Sequence, residues 1–480
     1  MSESLGSKVL AGAAWATVDR FGTMGIQFMV NLLLARLLVP SDFGIVGMLS
    51  IFIAVSQTLI DCGFSSALIQ KKTPTQTDYS TIFYWNIAFS LFLYSVLFIL
   101  SPAVSRFYSM PQLTDVLRTT ALTLITSGII AIQRTRLQKS LAFRSIAIVN
   151  LSAYLIGSAI ALSMAYYGYG VWSLVIMQLV ISGVSAVAFL AVSKWYPSIC
   201  FSKRSFRELF GFSGYILSAN LLQTICQNLQ GIIIGKRFSA TQMGYFSQAY
   251  KLDQVTSYSI PQVIVQVMYP VYSSVQDDMA RLTEIIKMNL RVITLIVLPF
   301  LSVLILSAGY LIPFLYGDEW IPAVPYFRIL CVGGVFVSLQ NINFYAVAAL
   351  GKSRALFKWS FYKWGFLICA LIVGMNFGMN GIMWSMAVGN LNIFLVNAAL
   401  VSKFTGLTVR NQLSAILPVW LSGITAGVAA TLVVLSGINI VLAVLVFAGV
   451  YIIICFACRL KALQDMRMLA KRIFHRHAGS

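Results

Sequence analysis

The chain has 480 residues, 59% of them hydrophobic and 10% charged, with 34 Lys and Arg against 14 Asp and Glu. A soluble domain carries roughly 25% charged residues, so this much apolar surface exceeds what one globular core hides, and the composition is that of a polytopic membrane protein. Apolar runs of ~20 residues exclude a transmembrane β-barrel, and the net charge of +20, gathered in alternate loops, is an orientation signal and not a nucleic-acid footprint.

Hydropathy and turn residues predict an all-α polytopic membrane protein with about 14 transmembrane helices. They run 9–35, 42–61, 80–104, 113–134, 145–167, 170–193, 209–235, 240–273, 288–315, 321–349, 355–375, 379–402, 411–435 and 438–459, with Pro40, Pro102, Gly317, Gly351 and Gly437 among the joints. The first reads as a span that continues into a bundle, not as a cleavable signal peptide. Placing the N-terminus in the cytoplasm puts Lys71, Lys72, Arg134, Arg136, Lys139, Arg144, Lys203, Arg204, Arg207 and the tail's basic residues inside. It leaves Arg36, Arg106, Lys236 and Arg237 outside. That asymmetry predicts both termini in the cytoplasm. The outer loops are too short for an extracytoplasmic enzyme domain, so any function lies among the helices.

The first helix carries Asp19 and Arg20 near membrane mid-depth. Adjacent helical residues lie about 100° apart, so each needs its own partner or water, and a charge at that depth marks a functional site. Asp61 closes the second helix, and Arg118 lies in the fourth. Asn220, Gln223, Gln227 and Gln230, spaced i, i+3, i+7, i+10, form one face of segment 209–235 and predict a water-facing wall. Lys251 and Asp253 follow in the next segment, then Arg291 and Lys363. The turn Arg36 to Gly44 is echoed by Lys236 to Gly244, and Val192-Ser193-Lys194-Trp195 by Val401-Ser402-Lys403-Phe404. These echoes predict two six-helix lobes in parallel repeat, residues 1–195 and 205–404, with a substrate site between them. Two extra helices occupy 411–460, and 461–480 reads as a basic amphipathic cytoplasmic tail on the anionic leaflet.

Membrane-depth acids are few, so the predicted interior is cationic and amide-lined. Arg20 and Lys251, with Arg118, Arg291 and Lys363 behind them, suit a phosphate, and the amides Asn220, Gln223, Gln227 and Gln230 suit sugars. Asp19, Asp61 and Asp253 are candidates for a coupling cation. The seven cysteines are odd in number and scattered in apolar runs, which predicts fillers and not disulfides. There is no G-x-x-x-x-G-K-[ST] and no H-E-x-x-H, and both histidines, His475 and His477, lie in the tail. No cofactor, catalytic set or metal site is therefore expected.

Ala35-Arg36-x-Leu-x-Pro40-x-Asp42-Phe43-Gly44, Asp61-x-Gly63-Phe64 with Gln70-Lys71-Lys72, Tyr269-Pro270 with Gln276-Asp277-Asp278, and Tyr316-Gly317-Asp318-Glu319-Trp320 together resemble the polysaccharide transporter family of the multidrug/oligosaccharidyl-lipid/polysaccharide exporter superfamily. Within it, the chain is similar to the Wzx-type flippases of the colanic-acid and teichuronic-acid exporter group. The resemblance implies two six-helix lobes around a V-shaped cavity open to one side at a time, plus two extra helices. It implies flipping of an undecaprenyl-diphosphate-linked oligosaccharide across the bacterial cytoplasmic (inner) membrane, coupled to protons or sodium. A polysaccharide polymerase and assembly proteins are the implied protein partners. The alternative is a small-molecule cation antiporter on the same fold, which calls for a more acidic cavity than this sequence supplies.

Overall fold

The computed structural model describes residues 2–436 and 439–468, with side chains described except at 2–10, 212, 215, 216, 219, 258–267 and 353. Every regular element among the described residues is helical. In order they are α1 (Ser2–Leu37), α2 (Pro40–Asp61), α3 (Phe64–Gln70), α4 (Gln76–Tyr108), α5 (Leu113–Lys139), α6 (Phe143–Tyr166), α7 (Val171–Ser193) and α8 (Lys203–Arg237). Then come α9 (Ala240–Ser274), α10 (Met279–Tyr316), α11 (Val324–Ala349), α12 (Ser353–Gly374), α13 (Gly378–Thr405), α14 (Val409–Leu435) and α15 (Ile440–Ala457), with short 3-10 turns at Asp318–Ala323 and Met375–Phe377. Ten segments among the described residues are long and apolar enough to cross a membrane, one of which, Arg354–Thr405, runs through both α12 and α13. The chain is a multi-pass membrane protein.

Local chemistry sets the helix ends. Pro40 opens α2, where a missing N–H costs nothing. Thr75 and Asp78 form a reciprocal capping box at α4. Asp278 accepts from the Arg281 backbone N–H at 2.9 Å to cap α10. Asp278 of the Gln276-Asp277-Asp278 motif thus has a structural use. So does the turn Tyr316 to Trp320, whose Trp320 ring is buried against Tyr316 and Tyr245.

The helices form two compact units, Met1–Gly244 and Tyr245–Ser480. In the first, α1 packs on α6, α6 on α7, and α5 on both α4 and α7, while α2 lies along α8. The sequence predicts no helix between 61 and 80, yet α3 forms there. Cys62 and Gly63 are both left-handed, at φ 46° and 74°, and turn the chain there. That turn buries Phe64 and Leu68 with Ile82, Ile132 and Trp195 in an apolar core. Several cations predicted as orientation signals also tie this end of the unit. Lys139 Nζ donates to the carbonyls of Leu68 at 3.0 Å and Ile69 at 2.8 Å, and to that of Lys71, capping the end of α3. Lys71 pairs with Asp78 and Glu208, both at 3.1 Å. Desolvation works against its charge, but those two partners outweigh it and hold the Lys71 pKa above the ordinary lysine value.

The two similar turns of the sequence meet within this unit. A Cβ on Gly44 would overlap the Ala240 carbonyl, and one on Gly244 would overlap the Pro40 carbonyl. The first turns of α2 and α9 therefore cross backbone to backbone, which only glycine permits.

In the second unit α11 packs on α13 and α10, α12 on α13, and α14 on α10 and α15. After α15 the chain turns and residues 461–468 are helical, with Leu460, Ala462 and Asp465 buried. The rest of the predicted amphipathic tail lies outside the described residues.

Candidate functional site

The site residues are built on α1 and α8 in the first unit and on α9 and α11 to α13 in the second. On α1, Gly12, Asp19 and Gly22 share a face, spaced i, i+7, i+10. A Cβ on Gly22 would lie 2.9 Å from Leu151 and one on Gly12 3.0 Å from Phe143, so this face is the contact with α6. It brings Asp19 against Asn150, whose Nδ2 donates to both carboxylate oxygens at 2.9 and 3.2 Å. Arg20, one residue on, is rotated off that face and is exposed. Among the described residues its guanidinium has no hydrogen bond or ion pair. It is the nineteenth of the 36 residues of α1, about 27 Å from its start and about 26 Å from its end.

On α8 the predicted amide stripe divides. Asn220, Gln223 and Gln227 are exposed, whereas Gln230 is buried and donates to the Gln227 carbonyl one turn back. The other side of α8 faces α2, where Thr224 and Thr58 hydroxyls lie 3.1 Å apart. Asp61 lies at the end of α2 and accepts from Ser65 Oγ at 2.5 Å. Arg118 is fixed to α4. Its Nε donates to Ser101 Oγ at 2.9 Å, and its guanidinium lies 4.1 Å from the Phe98 ring centre.

The second unit repeats the pattern of an exposed cation beside an inward acid. Lys251 and Gln254 of α9 are exposed, while Asp253 and Gln248 are buried. Asp253 accepts from Ser257 Oγ at 2.6 Å, and the Ser338 hydroxyl of α11 donates to the Ser257 carbonyl at 3.4 Å. Gly334 makes room for this pair: a Cβ there would overlap Ser257 Oγ and sit 3.1 Å from Asp253 Oδ1.

The remaining two predicted cations are engaged elsewhere in this unit. Arg291, 7% exposed, donates from Nε to Asp465 at 2.6 Å and from Nη2 to Glu284 at 3.2 Å. Glu284 is also 3.2 Å from Lys461. Lys363, 6% exposed, donates to Asn397 Oδ1 at 3.2 Å.

The structure thus groups Asp19, Arg20 and Asn150 in one unit and Lys251, Asp253 and Ser257 in the other. Asn150 and Asp465 were not predicted as site residues. Asn150 reads in sequence as a single amide joining helices, and Asp465 sits in a tail whose partner Arg291 is 174 residues away.

The chain is similar to known proteins in both sequence and fold. Residues 33–325 match a family described as polysaccharide biosynthesis protein. The teichuronic acid biosynthesis protein TuaB of Bacillus subtilis is 23% identical over 358 residues, 74% of this chain and 74% of that one. The lipopolysaccharide biosynthesis protein WzxC of Escherichia coli is 24% identical over 373 residues, 77% and 76% of the two chains. Among solved structures, lipid II flippase MurJ in an inward closed conformation superposes with TM-score 0.73 at 11% identity, over 93% of this chain and 99% of that one. An inward-facing multidrug resistance MATE family transporter of the MOP superfamily gives 0.58 at 15% identity, over 82% and 99%. The fold is that of these transporters.

Proposed function

Because the chain belongs to the polysaccharide biosynthesis protein family, we propose that it flips undecaprenyl-diphosphate-linked oligosaccharide units across the bacterial cytoplasmic membrane by alternating access, as a transporter and not an enzyme. One observation carries the reading. In each unit a helix predicted to reach membrane depth presents an exposed cation, Arg20 or Lys251, while the neighbouring acid, Asp19 or Asp253, turns inward to an amide or a hydroxyl. A guanidinium exposed at that depth is intolerable in hydrocarbon and calls for a water-filled gap or an anionic ligand. Phosphate oxygens are charge-assisted acceptors for an arginine or a lysine. The exposed amides Asn220, Gln223 and Gln227 hydrogen-bond the sugars, with Gln230 buttressing the last of them.

Asp19, Asp61 and Asp253 are the candidates for the coupling cation, and Asp253 is the most enclosed of them. Arg118, Arg291 and Lys363 already have protein partners and stand behind Arg20 and Lys251 as ligands for the diphosphate. About fourteen spans, in lobes 1–195 and 205–404 with an appendix 411–460, place both termini in the cytoplasm. A polysaccharide polymerase receives the flipped unit.

The test is complementation. A strain lacking its own flippase is given wild-type protein, Arg20→Ala or Lys251→Ala at matched membrane levels, and surface polysaccharide is measured. Export restored by the wild type and lost in both variants supports the reading. Undiminished export in both removes these cations from the mechanism.

A further inference from the structure

The helices α11, α12 and α13 enclose a polar cluster around Lys363. Lys363 is the eleventh of the 22 residues of α12, about 15 Å from its start, and is almost fully buried. Among the described residues its Nζ has one hydrogen bond, to Asn397 Oδ1 of α13 at 3.2 Å. Asn397 is held in that orientation because its Nδ2 donates to the Gln340 carbonyl of α11 at 3.2 Å. One helical turn away on α11, both side-chain polar atoms of Asn343 are buried with no hydrogen-bond partner among the described residues, and so is Gln340 Oε1.

An ammonium buried at membrane depth persists only with a counter-ion, or it gives up its proton. The sequences of α11, α12 and α13 contain no Asp or Glu, and no ion pair to Lys363 exists among the described residues. The other charged and titratable groups of these helices look elsewhere. Arg328 donates to the Ile305 carbonyl of α10, and Tyr345 packs on Tyr269. Arg354, Lys358, Tyr362, Cys369 and Lys403 are exposed. Tyr326 and Cys331 lie in the first third of α11, on the near side of Gln340 from its start. The unsatisfied atoms of Gln340 and Asn343 are mixed, two acceptors and one amide donor. That set suits water, which both gives and takes hydrogen bonds, and not a bare anion, which only takes them.

We propose that Lys363 is a proton-binding site of the transport cycle, served by water held between Gln340 and Asn343. An N–H bond of the ammonium breaks, the nitrogen keeps the electron pair as a neutral amine, and the proton passes to that water. The reverse step reloads it. Asn397 positions the amine in both states, since its Oδ1 accepts from an amine N–H as well as from an ammonium. This rests on the transporter reading and adds a basic coupling group to the acids named above.

Two measurements test it. Thermal unfolding of purified full-length wild type and Lys363→Gln is followed from about pH 6 to about pH 10, a range that brackets ordinary lysine titration on its acid side. If Lys363 exchanges its proton in the folded protein, the Tm difference between the two changes with pH. A difference that is constant at every pH overturns the proposal. In cells, Lys363→Arg keeps a charge that does not titrate, and export at wild-type membrane level is expected to be lost. Normal export with Lys363→Arg also overturns it. If Lys363→Arg fails to accumulate, the Tm comparison decides alone. Failure of the wild type to restore export would instead sink the flippase reading, and the Tm comparison would still report on Lys363.

Discussion

Removing the Asp465 carboxylate strands a buried guanidinium, and the structure says how much that should cost. Arg291 and Asp465 are 7% and 2% exposed and their charged atoms are 2.6 Å apart. Breaking a buried pair by deleting one partner costs about 3–5 kcal/mol, because the other charge is left without compensation. Glu284 remains 3.2 Å from Nη2, with its side chain 53% exposed. It offsets part of that loss, so Asp465→Ala should sit near the lower end, about 3 kcal/mol. Glu284→Ala removes a half-exposed partner and should cost roughly 0–1 kcal/mol. Replacing both members of the pair, Arg291→Met with Asp465→Leu, removes the stranded charge and should recover most of the loss. The assay is unfolding of the purified protein in detergent, followed by intrinsic fluorescence. The expected order of Tm is Glu284→Ala close to wild type, the double variant below or equal to it, and Asp465→Ala clearly lowest. Equal effects of Asp465→Ala and Glu284→Ala, or a double variant worse than Asp465→Ala, would refute the reasoning. It would mean that the segment after α15 is not anchored through this pair.

Other consequences are equally direct. Gly334→Ala puts a methyl group into Ser257 Oγ and against Asp253, an overpacking cost of about 1–3 kcal/mol; export should fall further than the amount of membrane-inserted protein, measured on the same cells. Asn150→Leu deprives Asp19 of its two-point amide donor and should lower export, whereas Asn150→Gln should retain part of it; equal export in both would show that Asp19 does not depend on this contact. The Lys71 network has a pH signature. Its folded pKa is raised above the unfolded one, so its contribution to stability is full below the unfolded lysine pKa and is lost as pH rises through the folded value. Lys71→Met should therefore lower Tm at neutral pH and cease to differ from wild type in strong alkali.

The sequence was informative where one helix's own geometry decides the outcome. Asp19 and Arg20 are neighbours, and the 100° step alone dictates that they face different surroundings, as they do. The amide stripe on α8 was legible by the same periodicity, although Gln230 turns into the bundle because its side chain finds the Gln227 carbonyl. What the sequence hid depends on distant partners or on single dihedral angles. The short helix α3, absent from the predicted segments, follows a turn in which Cys62 adopts a left-handed conformation that cysteine rarely takes. Lys139 reads as one more cytoplasmic cation, yet it caps a helix some 70 residues earlier. Arg291 reads as one more candidate for the phosphate because Asp465, which holds it, lies 174 residues on. Lys363 carried the same ambiguity, and only the packing of α11 to α13 shows that an amide is its partner.

Arg20 and Lys251 as the receivers of the diphosphate are the centre of the account, and ligand binding tests them most directly. Purified wild-type protein and the Arg20→Ala/Lys251→Ala double variant are titrated with a short-chain polyprenyl diphosphate and with the matching monophosphate. Each lost charge-assisted hydrogen bond is worth about 1.5–3 kcal/mol, or roughly tenfold to 150-fold in Kd. The account predicts that wild type prefers the diphosphate and that the double variant loses both the affinity and the preference. Equal affinity of the two proteins for the diphosphate would contradict it.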